Sequence, residues 1–151
     1  MYKFLQDIKS YIKERINVDA DISKTYGIEM YDAYTKGHTP TKTEVQFQIM
    51  DKNEVERYTD FEEANVFSIP IQITVVAFQM KIAGEMRSAK DASLLIGDKL
   101  EKLLNAKKDV VSVIPQIQRV RIMTTSPALP YEGGDKAYTT AIRCEFWVAK
   151  E

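Results

Sequence analysis

Few side chains in this sequence are equipped for chemistry. It holds one histidine, His38, and one cysteine, Cys144. A nucleophile needs a base oriented by a third group, and a single histidine cannot populate a His-rich catalytic or metal site. A lone cysteine excludes an intrachain disulfide and the zinc patterns built on cysteine pairs. Cys144 falls in an alternating segment near the end of the chain, where a small buried hydrophobe is expected. His38 lies in Lys36–Lys42 (KGHTPTK), which reads as an exposed loop. Carboxylates cluster at Asp51, Glu54, Glu56, Asp60, Glu62 and Glu63. Such groups can cleave glycosidic bonds in pairs or ligate calcium and magnesium through oxygen. Their spacing fits no calcium loop, so a solvated face or a protein contact is expected. No phosphate-binding glycine loop occurs, and Gly97-Asp98-Lys99 falls inside a helical pattern. No catalytic residue, metal ligand or cofactor is nominated, and an enzyme is not expected.

The chain has 151 residues with a net charge of −1. That length predicts one domain, residues 1–151, at roughly 100–200 residues per domain. The charge balance gives no general attraction to phosphate backbones. Lys107, Lys108, Arg119 and Arg121 are not interleaved with stacking aromatics, so nucleic-acid recognition is not expected. The apolar run around 69–80 is broken by Pro70, Gln72, Thr74 and Gln79, too short and polar to span a bilayer. The charged N-terminal segment has no apolar signal core. A soluble intracellular domain is the expectation.

Two helices are predicted. Phe4, Leu5, Ile8, Tyr11, Ile12 and Ile16 form one stripe. In the second helix Ser88 is the expected N-cap, and Ala92, Leu95, Ile96, Leu100, Leu103 and Leu104 form the stripe, with Asn105 as a stop. Gly97 inside that helix predicts close packing against a neighbour.

Strands are predicted around them. Val45, Phe47 and Ile49 alternate with Glu44, Gln46 and Gln48, and a short strand is expected within Tyr26–Tyr34. From Phe67 to about Met80 another strand has Phe67, Ile69, Ile71, Ile73 and Val75 on one face. The pair Val75-Val76 then predicts a bulge or burial on both faces. Pro70 predicts an edge position or a strand start. Strands are also expected within Val110–Thr124, broken near Pro115, and over Tyr138–Val148 with Ala141, Cys144, Phe146 and Val148 inward. Residues 51–65 predict a long hairpin arm, and 124–137 a loop. The class is α+β: a largely antiparallel sheet with the N-terminal helix and a second helix on one face.

The two long connections carry aromatics beside both signs of charge, a composition that suits an interface. Tyr58, Phe61, Tyr131, Asp135, Lys136 and Arg143 are the candidate contact residues, chosen because they lie in or beside these connections.

The order of elements resembles the tail terminator proteins of long-tailed bacteriophages, also called minor capsid or tail-completion proteins. The likeness is carried by FLQDIKSYI, EVQFQIMDKN, YTDFEEANVF, IPIQITVVAF, SAKDASLLIGDKLEKLLN and SPALPYEGGDKAYTTAIRCEFWV. The Gly-aromatic pair at the end of the second helix is replaced here by NAKKD, and 19–43 is longer and more polar than the family pattern. The resemblance implies a homo-oligomeric ring, a hexamer, that ends tail-tube polymerisation at the head–tail junction of the virion. Its partners would be further copies of itself, the tail tube protein and the head–tail connector protein, and it would be made in the host cytoplasm. Such a ring needs a head-to-tail interface closed by rotation. Edge strands could extend the sheet across subunits, with Lys42, Glu44 and Lys52 limiting promiscuous pairing. Another connector or tail-tube component, or a non-viral ligand-binding domain, is the alternative.

Overall fold

The computed structural model describes residues 2–18, 27–32, 37–49, 56–57, 66–104, 114, 117–133 and 136–149. The chain opens with helix α1 (Tyr2–Val18) and continues through strands β1 (Met30–Asp32), β2 (Glu44–Ile49), β3 (Glu56–Arg57) and β4 (Val66–Phe78). A small hairpin, β5 (Met80–Ile82) and β6 (Glu85–Arg87), precedes helix α2 (Ala89–Leu104). Strands β7 (Ile117–Thr125), β8 (Leu129–Pro130) and β9 (Ala137–Ala149) complete it. Among the described residues no helix is long and apolar enough to cross a membrane.

The sheet runs β1-β2-β4-β9-β7, with β3 also pairing β4 and β8 also pairing β9. All pairings are antiparallel except β1–β2, so the fold is α+β as the element order predicts. Strands β4 and β9 pair over their full 13 residues without a register shift, from Val66↔Ala149 to Phe78↔Ala137. Period-two alternation therefore sends Ile69, Ile71, Ile73 and Val75 to one face with Phe146, Cys144, Ile142 and Thr140. Both helices bury their stripes there: Ile8, Tyr11, Ile12 and Ile16 from α1 join Ala92, Ile96, Leu100 and Leu104 from α2 in one core. Each large aliphatic group fully buried in this way contributes about 1.5–3 kcal/mol.

Several local expectations are corrected. No bulge occurs at Val75-Val76; the alternative reading holds, since both valines are fully buried on opposite faces of an unbroken strand. The register shifts fall instead in β7, between Ile117 and Arg119 and between Ile122 and Thr124. Pro70 is neither on an edge strand nor at a strand start. It pairs with Glu145 in the central strand, between the described β2 ladder, which reaches Ile71, and the described β3 ladder, which reaches Ser68. In β9 it is Ile142, not Ala141, that shares the inward parity of Cys144 and Phe146. The strand expected to reach about Met80 ends at Phe78. Ala83 (φ 53) and Gly84 (φ 82) make a two-residue turn with positive φ at both positions, the turn that closes tight hairpins. The Ala-Gly dipeptide between short alternating runs was the available signal. Leu95 stands 45% exposed, because α2 turns it away from a stripe carried by Ala92, Ile96, Leu100 and Leu104. The Phe4 and Leu5 side chains, the strand start near Val110 and most of the 51–65 arm lie outside the described residues.

Helix α2 begins where expected: the Asp91 amide donates to Ser88 Oγ at 3.2 Å and the Ala92 amide to the Ser88 carbonyl at 2.9 Å. Gly97 explains how the helix lies so near the sheet. A Cβ there would stand 2.9 Å from Thr140 Cγ2 on β9. Thr140 cannot swing aside freely, since it is buried and its Oγ1 donates to the buried Ser93 Oγ at 3.2 Å. Gly97→Ala should therefore lower stability by about 1 kcal/mol in denaturant unfolding, the overpacking exceeding the gain in helix propensity. Adding Thr140→Ser, which removes the obstructing methyl and keeps the hydroxyl, is expected to recover the loss.

Candidate functional site

The sheet face opposite the helices carries a different alternation. Gln46 and Gln48 on β2 lie beside Thr74 and Gln72 on β4, and Gln72 pairs in turn with Arg143 on β9. Past β7, Ser126 is pinned to β9: its amide donates to the Ala141 carbonyl at 2.8 Å, and its Oγ accepts the Ala141 amide at 2.9 Å. The segment expected to be a loop then adds strand β8 to β9 at Leu129↔Thr139 and Pro130↔Tyr138. A short 3-10 turn, Tyr131–Gly133, follows, with Glu132 at φ 53. These residues wall a cleft of about 530 Å³ floored by the glutamines and threonines, with Asp32 and His38 also lining it.

His38 is not the free loop histidine expected. Its Nε2 lies 2.8 and 2.9 Å from the two carboxylate oxygens of Glu44, whose side chain is only 3% exposed. An ionised carboxylate only accepts, so Nε2 carries the proton and donates it. Gln46 Nε2 adds a second donor to Glu44 Oε2 at 3.2 Å. The His38 ring stacks on Tyr31 with centroids 4.2 Å apart and planes 23° apart. Glu44 is thus a satisfied buried carboxylate on an interior strand, not the exposed edge charge expected of it. What hid this is that β1, a three-residue strand, pairs parallel outside β2 and brings Tyr31 over the loop. At the cleft's rim Lys9 of α1 holds Asp32 at 2.6 Å.

Two tyrosines report the field of this region. The Tyr31 phenol is pushed above its usual value, first by its hydrogen bond to Glu29 at 2.8 Å, then by desolvation and by the charges of Glu29 and Glu44. The Tyr131 phenol is also raised, mainly by burial, then by Glu132 and by Glu44.

Of the candidate contact residues, Tyr58, Phe61 and Asp135 lie outside the described residues. Tyr131 is half-buried against the cleft, and Arg143 is exposed on the same sheet face beside Gln72. Lys136 is exposed elsewhere, beside Phe78, Gln79, Ser88 and Ala89 at the start of α2. The structure therefore brings Tyr131 and Arg143 to one surface and leaves Lys136 apart. Farther along that face, Glu145 is buried, accepting Trp147 Nε1–H at 2.9 Å with Arg121 Nη1 at 3.8 Å. Sequence reasoning missed Glu44, Glu145 and the glutamine floor. The only signal was that polar residues alternate with core residues on three neighbouring strands.

Cys144 is fully buried, and burial together with the Glu145 charge pushes its thiol from 9.0 up to about 12. A thiol raised this way favours the folded state below the unfolded pKa and loses that advantage as pH rises from about 9 to about 12. Iodoacetamide labelling at pH 8 is expected to track global unfolding, and labelling of the folded chain at the rate of a free thiol would contradict it. For the buried pair, Glu44→Ala strands the His38 and Gln46 donors and should cost about 1–3 kcal/mol in thermal or denaturant unfolding.

Among the described residues no cluster of His, Cys, Asp and Glu is arranged to hold a metal ion. In comparisons with known proteins, no family model and no curated protein matches this chain.

Proposed function

We propose that this chain is a structural, ring-forming subunit of the bacteriophage tail terminator kind, which ends tail-tube polymerisation and joins tail to head. The observation that carries this reading is a sheet with two unlike outer strands. At one side stands β1, three residues long and parallel to its neighbour; at the other stands β7, nine residues long and antiparallel. A ring closed by rotation joins two different surfaces of each copy, and unlike sheet edges are surfaces of that kind. Met123 on β7 is 46% exposed and Leu129 on β8 is 52% exposed, apolar groups suited to that contact. Tyr58, Phe61, Tyr131, Asp135, Lys136 and Arg143 are the proposed contacts with neighbouring copies or the tube. No bond-making step is involved. A second reading, a small ligand-binding domain, is favoured by the polar cleft.

Light scattering of the purified chain is expected to give a hexamer, or a monomer that assembles once tail-tube protein is added. Electron microscopy of polymerising tube protein should show shorter, capped tubes in its presence. Met123→Asp combined with Tyr131→Ala should abolish assembly while leaving the fold intact. Tube lengths unaffected by the added chain would overturn the proposal.

A further inference from the structure

The floor of the cleft on the helix-free face has a chemistry that the proposed ring contacts leave unused. Its described lining includes two carboxylates, Asp32 and Glu132, and three carboxamides, with no lysine or arginine among the described lining residues. Internal bonds draw on its donors: Gln46 Nε2 is given to Glu44, and Gln72 Nε2 to Thr74 Oγ1 at 3.2 Å. Each of these two amides keeps its carbonyl oxygen and one N–H to offer. Behind them the buried Glu44 carboxylate adds negative charge, and its effect reaches Tyr31 and Tyr131 alike. Lys9 shows that a cation is held at this rim, by Asp32. An anion requires a cation in the lining. A lining with two carboxylates beside an aromatic ring, and with no lysine or arginine among its described residues, does not match one.

We propose that this cleft is a receptor for a guanidinium group. That group offers five N–H donors and no acceptor, meets a carboxylate two bonds at a time, and stacks on an aromatic face. Glu132 supplies the carboxylate, Gln46, Gln48 and Gln72 the carbonyl oxygens, and Tyr131 the ring. The volume, about 530 Å³, suits a whole arginine with its flanking peptide units. The proposal rests on the cleft alone and stands if the chain is found never to form rings.

The test titrates the full chain, labelled with nitrogen-15, with N-acetyl-arginine amide, whose only charge is the guanidinium. Saturable shifts are expected at the side-chain amides of Gln46, Gln48 and Gln72. Glu132→Gln should weaken them about tenfold or more, as loss of a charged hydrogen bond does. Glu85→Gln, on the β5–β6 hairpin, should leave them unchanged. Gln72→Met keeps the side-chain volume, loses the carbonyl oxygen and should weaken binding as well, which covers the case that the Glu132 variant disturbs its turn. No saturable shift in the folded chain would overturn the proposal, as would equal binding of N-acetyl-glutamine amide or glucose. A capped Ala-Ala-Arg-Ala-Ala peptide separates the sources: binding tighter than the single residue assigns the group to a polypeptide, and weaker binding to a free small molecule.

Discussion

The β4–β9 ladder is the constraint on which the rest of this fold depends. Thirteen residues of each strand face each other in unbroken register. A one-residue slip would exchange the two faces, sending Ile69, Ile71 and Ile73 to the side of Gln72 and Thr74. Both outer parts of the sheet are hung on this pair, β2 on one edge and β7 with β8 on the other. Helix α2 then reads the same register from above. Gly97 and Ser93 meet Thr140, so the helix can approach only where a residue without Cβ faces a small β-branched one.

The ladder also creates the polar face. Once the aliphatic residues of β2, β4 and β9 commit to the helices, their alternating neighbours are forced together on the other side. Three glutamines and two threonines on separate strands thereby converge under the 129–132 segment. Two carboxylates on this face, Glu44 and Glu145, are buried yet paired, each within reach of a cation or a ring N–H. Burying an ionised carboxylate without such partners would cost several kcal/mol. The face is thus organised by satisfied hydrogen bonds, while the helix side is organised by apolar packing. An assembly role and a guanidinium-binding role overlap at Leu129 and Tyr131, which wall the cleft, while the outer strands serve only the first and the glutamine floor only the second.

Much of the helical and strand content was legible in the residues, for identifiable reasons. Ile8, Tyr11, Ile12 and Ile16 repeat at helical spacing over about two turns, and Ser88 caps the second helix with its own hydroxyl. Gly97 announced a close approach because nothing else excuses a glycine there. Errors arose where one residue type serves two environments. Leu95 has the composition of a core residue but the wrong angle around the helix axis. Ala141 is small enough for either face, and parity with Cys144 excludes it from the core. Pro70 breaks the rule against central strands, since it pairs with Glu145 inside the 13-residue β4.

What the sequence determined by itself was local: periodicities, caps, the glycine in the second helix, and the scarcity of groups suited to catalysis. Those follow from interactions between residues a few positions apart, whose geometry is set by backbone dihedrals. Only the tertiary structure decided that His38 clasps Glu44, that the 126–133 segment folds back to wall a cleft, and that Tyr131 and Arg143 share a surface from which Lys136 is absent. Each of these depends on which strands lie side by side. Strand order is settled by the packing of distant segments into one core, and no local pattern of side chains encodes it.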